Sequence, residues 1–332
     1  MSELRRDPIT GRWAIIASER AARTSDFVTT SARKPDAFCP FCPGNEDATP
    51  HELAVVRAPS PAEDAPWVVR AFPNRFPALR VERELLRTAE GLFDRVAGVG
   101  AHEVIVETRV HEESLADLGI STLAEVLRVW RERLVDLARD HRLTYVSVFK
   151  NHGAAAGATL SHEHSQVLAL PTIPRDVELE FERTAAYFER TERCASCDLI
   201  RQEVSDGARI VYESEGFLAL CPWASPTPFL IWILPKRHVS HFETIDGDEL
   251  ANLAETLRTT LRKVERALET PAYNLSLASG RLREAGSPSH HWRLELAPVL
   301  TLPGGFERAS GCYINPTPPE EAAAFLRGIT KT

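Results

Sequence analysis

Four cysteines and four histidines in this 332-residue chain fall into two sets written in the same order: Cys39, Cys42, His111 and His162, then Cys194, Cys197, His238 and His291. Each set offers two soft thiolates and two imidazoles, the donor combination that closes a tetrahedron around zinc. A redox dithiol, or two unrelated core cysteines, is the competing reading of any single Cys-x-x-Cys, and repetition of the whole set weakens it. Four protein ligands leave no open position for water, so both metals are expected to be structural and to support folding rather than react. Cys221 and Cys312 stand apart and read as buried thiols.

A further histidine follows the last ligand of the first set, in Ser161-His162-Glu163-His164-Ser165-Gln166. On an extended strand side chains alternate faces, so His162, His164 and Gln166 point one way and Glu163 and Ser165 the other. A metal ligand, a second imidazole and an amide donor then share one surface. Neutral imidazole attacks phosphorus when its other ring nitrogen is held by an acceptor, and an amide beside it can donate to a phosphoryl oxygen. His164 is therefore the candidate nucleophile of a nucleotidyl transfer, with Gln166 as its partner. The bland alternatives are a hydrogen-bonded structural histidine, or His164 in place of His162 as the ligand. Upstream, the small-residue run from Asn151 through Gly157 to Ala158 lets backbone approach phosphate closely, although small loops are common and Asn151 alone is an ordinary turn residue. Arg20 and Arg23 are equally phosphate binders or solvated surface cations.

The elements that must hold these residues repeat. Residues 104–108 read as a strand, His111 follows, and Leu123, Val126, Leu127, Trp130, Leu134 and Leu137 recur at helical spacing before strands at 145–149 and 166–170. The second half runs the same way: a strand at 229–234, His238, a helix marked by Leu250, Leu253, Leu257, Leu261, Val264 and Leu268, a strand at 273–277, and another opened by His291. His111 precedes His162 by 51 positions and His238 precedes His291 by 53, so the order and the spacing together predict an internal duplication. The expected division is a catalytic half at 1–175, a charged helical connector at 176–193 and a second half at 194–332. There Arg293 stands where the first half has His164, so only the first half is expected to be catalytic.

A chain of this length buries a sizeable core. Its 43% hydrophobic and 26% charged residues match an ordinary globular protein rather than a disordered or membrane-spanning one. A net charge of −8 gives no broad basic surface for nucleic acid or anionic lipid. With no apolar leader at the N-terminus and no membrane-length apolar run, a cytoplasmic location is the expectation.

The segments Arg5-Arg6-Asp7-Pro8-Ile9-Thr10-Gly11-Arg12-Trp13, Cys39-Pro40-Phe41-Cys42, Phe72-Pro73-Asn74-Arg75-Phe76-Pro77-Ala78-Leu79 and the His-x-His-x-Gln at 162–166 together resemble the galactose-1-phosphate uridylyltransferase family, over nearly the whole chain. The resemblance implies an α+β fold of the histidine-triad superfamily: two fused histidine-triad-like halves, each an antiparallel sheet with packed helices. It further implies ping-pong transfer through a nucleotidyl-His164. Asn74, Asn151, Gly157, Ser161 and Gln166 match nucleotide- and phosphate-binding positions, and Arg20 and Arg23 match positions that hold the phosphate of the incoming substrate. Members form homodimers whose active sites draw on the neighbouring subunit, with residues 304–316 a candidate for that sharing. The implied activity is hexose-1-phosphate nucleotidylyl transfer, first as UDP-glucose with galactose 1-phosphate. The alternative is ADP-glucose phosphorolysis, whose plant branch is similar in its His-Ser-His-Ser-Gln, second zinc and Gly-Phe-Glu…Gly-Cys-Tyr-Ile-Asn-Pro tail. Hydrolysis of a nucleotide sugar, and a zinc-stapled nucleotide-binding module without catalysis, are the more distant readings. Glu163, Ser165 and Arg75 replace the proline, glycine and aspartate common in uridylyltransferases, which leaves base and sugar open.

Overall fold

In a computed structural model, which describes residues 2–22, 38–59, 65–284 and 286–329, the repeat read from the sequence becomes a repeat of strand order. The chain opens with an antiparallel pair, β1 (Glu3–Arg6) and β2 (Trp13–Ile16). The first repeat follows as β3 (Ala54–Arg57), β4 (Trp67–Pro73), a hairpin of β5 (Arg87–Glu90) and β6 (Phe93–Val96), β7 (Ala101–Val106), helix α1 (Ile120–Leu137), β8 (Tyr145–His152) and β9 (His164–Leu170). Helix α2 (Arg175–Thr191) leads to α3 (Ala195–Asp206) and the second repeat: β10 (Ile210–Glu213), β11 (Phe217–Leu220), β12 (Ile231–Pro235), α4 (Gly247–Leu268), β13 (Tyr273–Ala278) and β14 (Arg293–Pro298). Last come α5 (Gly305–Ser310), β15 (Tyr313–Asn315) and α6 (Pro319–Gly328).

Ten strands form one sheet in the order β10-β11-β12-β14-β13-β8-β9-β7-β4-β3, each neighbouring pair antiparallel. Inward from either edge the pattern is the same, β3-β4-β7-β9-β8 against β10-β11-β12-β14-β13, and the two copies fuse where β8 pairs with β13. The fold is α+β with two fused halves, as expected.

The helices form because their apolar residues recur every three or four positions and bury one face. Leu123, Val126, Leu127, Trp130, Leu134 and Leu137 of α1, and Leu250, Leu253, Leu257, Leu261 and Val264 of α4, all enter a core continuous across both halves. Asp246 starts α4 with a capping box: its carboxylate accepts from Glu249 N at 2.9 Å while the Glu249 carboxylate accepts from Asp246 N at 3.2 Å. No helix among the described residues is long and apolar enough to cross a membrane.

Residues 3–16 lie in the first half of the chain yet pack on the second. β2 pairs in parallel with β15, Arg5 bonds Glu320 at 2.8 Å, and Ile9 enters a cluster with Ala195, Leu199 and Trp232. Cys221 is buried as expected. Cys312 is only partly buried, because it follows Gly311, the left-handed residue that ends α5 at the surface.

Candidate active site and metal centres

β9 alternates as its sequence requires. Val167 and Ala169 enter the core and Ser165 accepts from Trp130 Nε1 at 2.8 Å, while His164 and Gln166 line a cavity of about 400 Å³ on the opposite face. The other walls of this cavity are mostly aromatic and apolar, among them Phe38, Phe41, Phe72, Phe76 and Pro50, with Asn74 and Arg75 at one side. Apolar walls with a few convergent polar groups suit a nucleoside and its phosphates.

His164 is held from two directions. Its Nδ1 lies 2.8 Å from the His162 carbonyl oxygen, so that nitrogen carries the proton and the lone pair falls to Nε2. Phe41 packs its ring edge-on at 5.3 Å between centroids. Burial depresses the imidazole's basicity and the Lys150 ammonium adds to this, against the opposing pull of the His162 carbonyl, which takes the pKa down to about 4. The ring is neutral near pH 7, the form a nucleophile needs.

Behind β9 lies a buried ionic cluster that sequence reasoning missed. Lys150 Nζ donates to Glu107 Oε2 at 2.6 Å, to the Glu163 carboxylate and to the His164 carbonyl at 3.3 Å, and Glu163 Oε1 is 2.6 Å from His152 Nδ1. Burial alone would raise the Glu163 carboxyl, but Lys150 and His152 outweigh it and hold it down to about 2. His102 was missed as well. It stands two residues before Val104 on β7, and its Nε2 is 2.8 Å from Gln166 Oε1. The period-2 alternation of β7, which puts Val104 in the wall of the cavity, would have pointed to it.

Both Cys₂His₂ sets assemble, each with its four ligand atoms within 4.8 Å of one another. Zinc bonds of about 2.0–2.3 Å imply tetrahedral edges of about 3.3–3.8 Å. In the first set Cys42 Sγ lies 3.3 Å from His111 Nδ1 and 3.6 Å from His162 Nδ1, and Cys39 Sγ lies 3.6 Å from His162 Nδ1. In the second, Cys197 Sγ lies 3.5 Å from His238 Nδ1 and 3.7 Å from His291 Nδ1. The far ring nitrogens are anchored too, His162 Nε2 to Thr108 O and His291 Nε2 to Pro235 O at 2.8 Å each, which leaves Nδ1 free to ligate. Donor type, spacing and tautomer all fit a tetrahedral metal.

At the matching place in the second half Arg293 opens β14 and is locked in a two-pronged pair with Glu180 of α2, at 2.5 and 2.9 Å. Its guanidinium also lies over Trp232, 4.5 Å from the ring centroid. That position is filled by an ion pair and carries no free nucleophile.

The remaining candidates scatter. Ser161 Oγ lies 2.9 Å from His111 Nε2 and so braces the first metal set. Asn151 Oδ1 accepts from Asn274 Nδ2 at 2.8 Å, and the same amide reaches Ala156 O at 2.9 Å, which fixes the turn ending at left-handed Gly157. That turn leads into Thr159 and Leu160, which line the cavity where Asn151 and Gly157 do not. Arg20 is not brought to His164; it lines a different cavity of about 310 Å³ with Thr227, Leu302, Gly304 and Tyr313. Arg23 lies outside the described residues.

Comparison with known proteins agrees with this architecture. The family profile "Galactose-1-phosphate uridyl transferase, N-terminal domain" matches residues 1–174, and its C-terminal counterpart matches 180–295. ADP-glucose phosphorylase of Arabidopsis thaliana is 36% identical over 99% of this chain and 93% of its own length. Galactose-1-phosphate uridylyltransferase of Thermotoga maritima is 28% identical over 98% of each. Among solved structures, the Arabidopsis thaliana ADP-glucose phosphorylase with bound ADP-glucose superposes with a TM-score of 0.85 at 35% identity, covering 100% of both chains. A uridylyltransferase structure gives 0.77 at 26% identity over 98% of this chain and 97% of that one.

Proposed function

The chain belongs to the galactose-1-phosphate uridyl transferase family, and from that premise we propose that this nucleotidyltransferase works in two displacements through a covalent nucleotidyl-His164. The observation that carries the reading is the ring itself: Nδ1 bonded to the His162 carbonyl leaves the lone pair on Nε2 of a neutral imidazole that lines the cavity. In the first displacement Nε2 attacks the α-phosphorus of a nucleoside diphosphate hexose, the bond to the β-phosphate oxygen breaks, and hexose 1-phosphate leaves. In the second an acceptor phosphate oxygen attacks the same phosphorus, the P–N bond breaks, and free His164 returns. Charge on the imidazole in the adduct is supported by the Nδ1–H bond, and the Gln166 amide donates to a phosphoryl oxygen.

Asn74 lines this cavity, Asn151 and Gly157 belong to the turn that leads into its wall, Ser161 braces the first metal set, and Arg20 and Arg23 are assigned to the acceptor phosphate. Arg20 lies in another cavity, on the face built by the second half, and its assignment goes with a homodimer in which Arg20 of one copy meets the other copy's His164. Zinc in both Cys₂His₂ sets would act structurally, and in the first set it would hold the strand that bears His164 and the knuckle that packs on it.

Two donor and acceptor pairs fit the scheme: UDP-glucose with galactose 1-phosphate, and ADP-glucose with inorganic phosphate. Identity of 36% to the phosphorylase against 28% to the uridylyltransferase, each over almost the whole chain, favours the second. Incubation with each donor separately, followed by intact-mass measurement, reads the answer directly. An adenylyl adduct lost in His164→Ala and discharged by phosphate is the expected result; a uridylyl adduct discharged by galactose 1-phosphate reverses the donor assignment. No adduct with either donor overturns the covalent mechanism.

A further inference from the structure

A carboxamide that must give its N–H to a phosphoryl oxygen has to be prevented from turning over and presenting its oxygen instead. Gln166 lines the cavity beside His164, and its orientation is set by a chain of hydrogen bonds that begins outside the cavity. The Ala78 backbone N–H donates to His102 Nδ1 at 3.1 Å. A neutral imidazole has one N–H, so with Nδ1 accepting, the proton resides on Nε2. Nε2 lies 2.8 Å from Gln166 Oε1, and the bond runs from ring to amide oxygen. The Gln166 NH₂ is thereby turned away from His102.

Asn74 is fixed by backbone contacts instead. The Asn74 backbone N–H donates to the His102 carbonyl at 2.7 Å, and its side-chain Oδ1 accepts from Phe76 N at 2.9 Å. Asn74 Nδ2 therefore stands 3.2 Å from an Nε2 that is itself a donor, and its hydrogens are not spent on the ring. Both amides line the cavity that holds His164.

We infer that His102 is a positioning residue that, in the Nε2–H form imposed by Ala78, fixes the Gln166 carboxamide with its N–H groups toward the phosphates of the bound nucleotide. The inference rests on the nucleotidyl-His164 reading for its chemistry, but not for its geometry. Without the ring Gln166 can rotate, and the transition state loses a preorganised donor; removal of such a donor costs about 10²–10³-fold, and its partial misorientation should cost about 10- to 100-fold.

The test uses His102→Phe, which keeps a ring but no donor, and His102→Gln, which restores an N–H at similar reach, each checked for an unchanged melting temperature. The rate of adduct formation in a single turnover should fall about 10- to 100-fold in His102→Phe, with donor half-saturation within about twofold, and should largely recover in His102→Gln. Introduced into Gln166→Ala, His102→Phe should cost no more than about twofold, because the group it positions is already gone. Full multiplicative loss in that double variant, or a loss confined to half-saturation, overturns the inference. If wild type forms no adduct, the nucleotidyl-His164 reading fails, and His102 is decided separately by NMR of the Gln166 side-chain amide with AMP or UMP added. Resonances that shift with nucleotide in wild type but not in His102→Phe uphold the assignment, and identical behaviour in both refutes it.

Discussion

Lys150 illustrates how much of this site depends on residues that never reach the cavity. Its ammonium is buried between Glu107 and Glu163 and bonds the carbonyl of His164, so it joins β8 to the start of β9 beneath the His164 ring. Removing one partner of such a cluster leaves uncompensated buried charge, which costs about 3–5 kcal/mol. Lys150→Met should therefore lower the free energy of unfolding by about that amount. Urea denaturation would measure it, and a loss below about 1 kcal/mol would mean that the two carboxylates take up protons at little cost. His164 and Gln166 were legible in the sequence because they are neighbours on one strand and alternation orders them. Lys150 was not, since its partner Glu107 lies 43 positions away and the pairing depends on strand order, which local pattern does not contain.

At the scale of elements, helical spacing located α1 and α4, and the repeated order of strand, histidine, helix and strands anticipated the two matching five-strand sets. The parallel pairing of β2 with β15 was not visible, because it joins segments from opposite ends of the chain whose short patterns do not name a partner. Helix α2 was expected as a charged connector, yet it carries Glu180 against Arg293, which stands where the first half has His164. Burial opposes the charge on Glu180, but Arg293 outweighs it and holds the carboxyl below its ordinary range. A depressed folded-state pKa means that the pair stabilises the protein above the unfolded value, about 4.3, and that this contribution is lost as pH falls through the folded value. Glu180→Gln should thus be less stable than wild type at pH 7, and the gap in melting temperature should close on acidification below about pH 4.3. A gap that stays constant with pH would assign the loss to packing instead. Turnover per folded molecule should be unaffected, since Glu180 and Arg293 do not line the cavity of His164.

Across the whole molecule the two Cys₂His₂ sets are equivalent in composition and unequal in surroundings. Cys39 and Phe41 belong to the apolar cluster of Phe72, Val104 and Val106, which builds walls of the candidate active site, and Phe41 touches the His164 ring. The second set stands beside a different cluster, formed by Ala195, Leu199, Ile200, Trp232 and the N-terminal Ile9. Metal binding contributes to folding at both places, because unfolded cysteines and histidines offer no preformed tetrahedron. Elemental analysis should find two equivalents of zinc in wild type and one in either Cys39→Ser or Cys194→Ser. Both variants should melt at lower temperature, and a chelator should lower the melting temperature of wild type. Only Cys39→Ser should also slow adduct formation per folded molecule, by about tenfold or more, because it loosens the Phe41 ring that packs on His164 and the strand that carries His164. Equal loss of adduct formation in both variants would mean that the second half tunes the site at a distance through the shared sheet. A fully folded, metal-free wild type with an unchanged melting temperature would remove the structural role of both sets.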